Sequence, residues 1–307
     1  MPAHPKMKTF EPTSEGPVRF FKIFSSAIAP RPIAFVSTIS SEGVKNLSPF
    51  SYFNFFSANP PVLVFSVSTP ASGGQKDTLR NVRETGDCIV HIADRSLAHQ
   101  LNLSSAVFEP DIDEFERTGL TPVPGDEVTA FRVAEAKVAV ECRVRQIIPL
   151  GDLRASGNLV ICDVVKLHVD QSILFEDGSS IDPHLFPSLA RLGGEWYMET
   201  QPDALFELPR PPSGEAMGVG GLRRASELWE ELSLAERSIL GTSTAFPDTE
   251  AVEQFSVEWS KTYSAQTSEE VRTRLLDAVR AALADYDLER AWLALLAAEM
   301  RDAKTQD

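Results

Sequence analysis

The fold turns on the stretch Asn46-Leu47-Ser48-Pro49-Phe50-Ser51-Tyr52-Phe53-Asn54-Phe55-Phe56-Ser57-Ala58-Asn59-Pro60. Its aromatic residues alternate with hydroxyls, and Asn59-Pro60-Pro61 closes it. Apolar, β-branched runs flank it on both sides, Ile33 to Ile39 before and Val62 to Val67 after, and both read as strands. Pro49 has no N–H to give a sheet ladder, so the stretch is expected at an edge or a bulge rather than in a sheet centre. Such a segment leaves backbone donors and acceptors free beside aromatic rings. A planar, hydrogen-bonding heterocycle needs that surface from a pocket, while the plainer reading of the stretch is an ordinary core strand with an irregular start.

Upstream, Phe20 to Ala29 is ambiguous and Met1 to Glu15 reads as a loosely held arm. Pro30-Arg31-Pro32 holds a cation in extended backbone, because a following proline disfavours the α region. Ser40-Ser41-Glu42-Gly43 reads as a hairpin turn, with Val44 to Ser57 as the return strand. Downstream, Gly73-Gly74-Gln75-Lys76 precedes a helix over Leu79 to Thr85, capped by Asp77 or Thr78 and ended by Gly86. A glycine loop, a lysine and a helix N-terminus together suit a phosphate, although no GxxxxGK[ST] pattern is present and a solvated loop reads the same way.

Cys88 to Ile92 reads as a strand carrying His91, a residue that in such a place is more often a satisfied core or rim histidine than a catalyst. Ser104 to Asp126 is a long loop with one helical turn near Asp113 to Arg117, of the kind that often forms a lid. Val133 to Ile148 and Leu159 to Val169 complete the strands, and Arg191-Leu192-Gly193-Gly194-Glu195-Trp196-Tyr197 closes the unit. Five or six strands with short helices between them predict a mainly β fold, an antiparallel closed or nearly closed barrel. No GxGxxG occurs, which argues against a Rossmann domain.

The chain has 307 residues, a 43% apolar fraction and a formal charge of -15. That charge disfavours nucleic acid and anionic membrane as partners. No apolar run approaches the roughly 20 residues that cross a bilayer, and Met1 to Phe20 lacks a signal-peptide core. Cys88, Cys142 and Cys162 form no CxxC pair and read as reduced thiols of a cytoplasmic protein. With five histidines and no metal-ligand spacing or Ser/His/Asp set, metal catalysis and hydrolysis have little support.

After Leu208 to Gly221, a Pro- then Gly-rich linker, the pattern turns helical from residue 222 to 307. Four amphipathic segments follow: Leu228, Trp229, Leu232 and Leu234; Val252, Phe255 and Trp259; Val271 to Leu283; and Leu288 to Met300. Their apolar stripes read as a core or an oligomer contact.

Five blocks in order, APRPIAFVSTIS, NLSPFSYFNFFSANPP, KDTLRNVRETG, NLSSAVFEPDIDEFERTGLTPVP and RLGGEWY, resemble the flavin reductase-like family with the FMN-binding split-barrel fold. The resemblance covers residues 18 to 200, within a domain spanning 1 to 207, and is silent on the helical extension. It implies a homodimer with FMN against the barrel. By motif, Ser37, Thr38, Asn46, Ser48, Pro49, Phe50, Ser51, Tyr52 and Asn54 would line the isoalloxazine and ribityl. Lys76, Asp77 and Thr78 would meet the phosphate, with Arg31 as a further cation. His91 and Tyr197 are the catalytic candidates, and His91 departs from the smaller residue of many relatives. The implied activity is NAD(P)H-dependent flavin reduction, with NADH or NADPH as donor and a partner monooxygenase as one acceptor of reduced flavin. Direct reduction of a small aromatic or nitro compound, or non-catalytic electron carriage, are the alternatives.

Overall fold

The computed structural model describes residues 6–70, 73–221, 227–262 and 268–305. It separates into two compact units with the boundary between Leu205 and Phe206.

The first unit carries helices α1 (Pro12–Glu15), α2 (Pro17–Ala27), α3 (Asp77–Thr85), α4 (Ala98–Leu103) and α5 (Glu114–Thr118). Its strands are β1 (Arg31–Pro32), β2 (Ala34–Ile39), β3 (Lys45–Phe50), β4 (Phe53–Ala58), β5 (Pro61–Ser68), β6 (Asp87–Ile92), β7 (Pro122–Pro124), β8 (Phe131–Val133), β9 (Val138–Pro149), β10 (Gly157–Val169), β11 (Leu189–Arg191) and β12 (Tyr197–Glu199). Seven of them form one sheet in the order β3-β2-β6-β9-β10-β5-β4, every pair antiparallel.

The stretch from Asn46 to Pro60 explains why this sheet is a barrel. β3 and β4 are the two edges of the sheet, yet only Ser51 and Tyr52 join them. Six strand spacings in a flat sheet would part those edges by about 28 Å, whereas the linking residues can span only about 10 Å. The sheet must therefore curl until its edges meet, and Ser66 N donates to Tyr52 O across 2.9 Å, carrying the β4–β5 ladder into the link. The fold is a split β-barrel with added helices. The expected single return strand, Val44 to Ser57, is thus two strands on opposite edges. Pro49 sits in an edge strand, where its missing N–H costs no ladder bond.

Residues two apart point into the barrel: Ala34 and Val36, Leu63, Phe65 and Val67, Cys88 and Val90, Val140 and Cys142, Val160 and Cys162. All three cysteines are free and buried. The other face of β2 and β3 is covered by Leu97, Leu101, Phe115, Leu120 and Val133, so the long loop region serves as the second layer. It is tied to β3 by the 2.6 Å Lys45–Asp113 ion pair and a 3.2 Å hydrogen bond from Leu47 N to Glu114 Oε2. Burial pushes the Glu114 carboxyl up to about 7. The ambiguous Phe20–Ala29 stretch lies largely in α2, and the strand expected from Val133 begins instead at Val138.

The second unit has helices α6 (Gly218–Gly221), α7 (Glu227–Glu231), α8 (Leu234–Leu240), α9 (Thr249–Thr262), α10 (Ser268–Ala284) and α11 (Leu288–Thr305). Leu228, Trp229, Val252, Leu275, Val279, Trp292 and Leu295 build its core, and Trp292 Nε1 donates to Ser243 Oγ at 2.9 Å. Ser233 breaks the first expected helical segment by forming a capping box with Glu236, which leaves Leu234 exposed at the start of α8. The expected start of the extension at residue 222 lies outside the described residues. No described helix is long and apolar enough to cross a membrane.

Candidate functional site

A cavity of about 1030 Å³ opens beside the β3–β4 corner. Pro49, Ser51 and Tyr52 form its corner wall, Phe21 and Lys22 of α2 and residues 95–105 its sides, and Arg31, Arg191 and Tyr197 its floor. Arg31 is held as the flanking prolines suggested, but by carbonyls. It donates to Ser25 O, to Ile28 O at 2.6 Å and to Leu192 O at 2.9 Å, with its buried Nε left without a partner. Two of those acceptors belong to the C-terminal end of α2, where a cation meets the negative end of the helix dipole. Arg191 pairs in register with both Arg31 and Tyr197, and its guanidinium lies 4.4 Å from the Tyr197 ring centroid. Burial raises the Tyr52 phenol's pKa, and Arg31 partly opposes it.

The other end of β3 meets α3. Lys76 occupies the N-cap position with no side-chain cap bond, so neither Asp77 nor Thr78 caps this helix. Asp77 instead pairs with Arg80 at 2.6 Å one turn on. The Lys76 ammonium lies 5.5 Å from the Phe50 ring centroid, and desolvation lowers its pKa. The amides of Asp77 and Thr78, in the first turn, have no intrahelical acceptor.

Behind that turn is a buried polar knot. Asn46 Nδ2 donates to Thr38 Oγ1 at 3.1 Å and to Thr78 Oγ1 at 3.0 Å, and Asn81 Nδ2 donates to Thr38 Oγ1 at 3.1 Å. None of the four is more than 6% exposed. Their polar groups are spent on fixing α3 against β2 and β3, and Asn81 Oδ1 alone lacks a partner.

Other expected residues sit elsewhere. Ser37 is fully buried and donates to Phe131 O, and Phe50 packs inside the barrel on Phe65, with ring centroids 5.5 Å apart. Ser48 is half-buried on β3, and Asn54 is exposed on β4, where its Oδ1 accepts from Phe55 N at 2.9 Å. His91 does not fit the catalytic role considered for it. It is completely buried, with Nδ1 donating to Phe35 O at 2.9 Å and Nε2 accepting from Val133 N at 2.9 Å. Both nitrogens stitch β2 and β6 to β8, and burial pushes its pKa down to about 4. Tyr197 does reach the cavity.

Lys22, Arg95, His99 and Arg191, none of them among the residues expected from sequence to bind or react, also line the cavity. The RLGGEWY motif marked Arg191, but nothing local marks the others. Asp126, Glu141 and His168 bring possible ligand atoms within 4.8 Å of one another. Glu141 already accepts from Asp126 N, Glu127 N and His168, and Asp126 pairs with Lys166, so these groups are structural ties.

The model of the flavin reductase like domain matches residues 26–183, half of the chain, and includes β1 to β10 and both ends of β3. The chain belongs to that family. A Bacillus subtilis protein, YwrF, is 37% identical over 62% of this chain and 93% of its own length. Nitrilotriacetate monooxygenase component B from Bacillus cereus is 34% identical, with a TM-score of 0.63 over 67% of this chain and all of that one. The 2-nitrobenzoate 2-nitroreductase NbaA of Pseudomonas fluorescens is 27% identical, with a TM-score of 0.59 over the same shares. The family match ends before the helical unit begins.

The residues at the two ends of β3 suit a flavin mononucleotide. Asn46 and Ser51 are five residues apart, about 16 Å along a strand. The first turn of α3, tied to Asn46, offers amides for a phosphate, the Lys76 ammonium beside Phe50 adds a cation, and the corner offers aromatic rings, hydroxyls and edge-strand backbone for a flat heterocycle.

Proposed function

We propose that the protein is an FMN-dependent oxidoreductase that takes electrons from NADH or NADPH and passes them to free flavin, with a partner monooxygenase as consumer of the reduced flavin. The observation that carries this reading is the pairing, along one edge strand of a flavin reductase-like barrel, of a cationic helix N-terminus with an open aromatic cavity. When bound, FMN accepts a hydride from the nicotinamide and hands on two electrons, chemistry the protein need only position. Lys76 and the first-turn amides of Asp77 and Thr78 hold the phosphate. The β3 backbone from Ser48 to Ser51 meets the ring edge, and Tyr52 and Tyr197 border its open face. The knot of Thr38, Asn46, Thr78 and Asn81 keeps those two ends in register.

Phe55 and Phe56 project from edge strand β4 and are 73% and 68% exposed. That apolar edge is the face on which we place a homodimer contact. The three free, buried thiols fit a cytoplasmic setting.

A second reading, direct reduction of a small aromatic or nitro compound with FMN retained, is favoured by the size of the cavity and the three aromatic rings in its wall, Phe21, Tyr52 and Tyr197. Anaerobic titration of the FMN-loaded protein with NADH and NADPH tests both. Bleaching of flavin absorbance with release of reduced flavin supports the first reading, and bleaching with retention supports the second. FMN that binds but is never bleached makes the protein a carrier and overturns both.

A further inference from the structure

The cavity collects more positive charge than a flavin needs. Lys22 comes from α2, Arg31 from β1, Arg95 from the turn before α4, and Arg191 from β11. Among the described residues none of the four forms an ion pair, and Glu195 is the single carboxylate in the cavity wall. This happens in a chain whose formal charge is -15, where most cationic side chains could find an acid nearby. Unpaired cations converging on one cavity mark a site for a polyanion.

The charge count and the volume narrow the ligand. A monocarboxylate would satisfy one arginine and leave the rest unpaired. In the reading given above, the FMN phosphate has its own donors in Lys76 and the first-turn amides of α3, none of which lines this cavity. A cavity of about 1030 Å³ is at the upper end of the range for small-molecule sites and has room for a dinucleotide. A 2′-phosphate adds about 1.5 to 2 negative charges to the pyrophosphate of such a molecule at pH 7. Arg191 is also suited in shape. Its guanidinium sits over the Tyr197 ring, 4.4 Å from the centroid, and donates to Gly194 O, contacts that keep the planar fork in place, and such a fork both stacks on rings and grips phosphate.

We propose that this cavity is the donor site and that Lys22, Arg95 and Arg191 make it select NADPH over NADH by binding the 2′-phosphate and pyrophosphate. The inference rests on the flavin and nicotinamide reading given above. Arg31, tied to three carbonyls, supplies a fixed background charge.

The test uses the full-length, FMN-loaded protein. Wild type should show a kcat/KM for NADPH at least tenfold above that for NADH. Arg95→Ala and Arg191→Ala should each lower the NADPH value roughly tenfold and the NADH value less than threefold. Calorimetry with 2′,5′-ADP should show binding that both variants weaken and that leaves the FMN in place, with 5′-ADP binding more weakly to wild type. Flavin content and melting temperature report folding, and Arg95→Lys and Arg191→Lys, which keep the charge, should recover part of the NADPH preference. Equal use of the two donors overturns the inference while leaving flavin reduction intact. So does displacement of FMN by 2′,5′-ADP, which would make the cations part of the flavin site. If neither donor bleaches the bound flavin, the donor reading fails and the inference falls with it.

Discussion

Asn46 on β3 donates from Nδ2 to Thr78 Oγ1 on α3 across 3.0 Å, and both residues are buried. This bond joins the strand that borders the cavity to the helix whose first turn faces the proposed phosphate. Replacing Asn46 with Ala leaves the Thr38 and Thr78 hydroxyls without their shared donor, at a cost of about 1 to 3 kcal/mol. Asn46→Ala should therefore unfold at lower urea and bind FMN more weakly, with Thr78→Val showing the same direction. Urea denaturation and FMN titration measure the two effects. Loss of stability with unchanged FMN affinity would show that the knot is structural only.

How much of this was legible follows from how local each signal is. β2, β5 and β6 stood out as short apolar, β-branched runs, and β9 by the alternation of Val138, Val140, Cys142 and Val144 with charged residues, patterns a linear sequence displays directly. The corner at Ser51 and Tyr52 did not, since a run of aromatics reads as one strand until it is known which strands β3 and β4 join. Arg31, Pro49, Ser51, Tyr52 and Lys76 were singled out through contiguous motifs. Lys22 and Arg95 were invisible, because curling of the barrel and docking of α2 bring them to the cavity from distant places in the chain. His91 fits the core histidine its strand setting favoured, but residue type alone also leaves a catalyst open, and only burial shows that both nitrogens are spent on backbone groups.

Lys76→Ala should weaken FMN far more than riboflavin. A charge-assisted contact to the phosphate is worth roughly 1.5 to 3 kcal/mol, or about ten- to a hundredfold in affinity, and riboflavin has no phosphate to lose it. Fluorescence titration of both ligands against wild type and variant gives the comparison. Equal losses would move Lys76 to the ring end of the flavin.

His91 should make the barrel sensitive to acid. Its folded pKa of about 4 lies below the ordinary 6.5, so its contribution is complete above pH 6.5. As the pH falls from 6.5 toward 4 the unfolded chain takes the proton first, and stability is lost at up to about 1.4 kcal/mol per pH unit. Glu114, with its carboxyl pushed up to about 7 from 4.5, works in the opposite sense, losing stability as the pH rises through that window. The two are separated by single variants. His91→Gln should remove the acid limb from urea midpoints measured between pH 4 and 7.5, and Glu114→Gln should gain stability at pH 8 relative to pH 4.5. A His91→Gln profile parallel to wild type would place the proton elsewhere.

Residues 1–205 should fold and bind FMN without the helical unit. Every residue of the barrel core and of its outer layer lies before Leu205, and the core around Trp229 and Trp292 draws only on the second unit. Among the described residues, each of these core clusters draws on one unit only. The proposed flavin contacts, from Arg31 to Tyr197, all remain. Expression of 1–205 should give a soluble protein with about one FMN per chain and a melting temperature within a few degrees of the barrel transition in the full chain. Its NADPH oxidation, compared with the full chain, then reports what the helices add: an unchanged rate assigns them to a partner, and a changed rate with FMN still bound assigns them to control of access or product release. Aggregation, or a barrel that cannot hold FMN, would show that the two units fold as one and that the boundary at Leu205 is wrong.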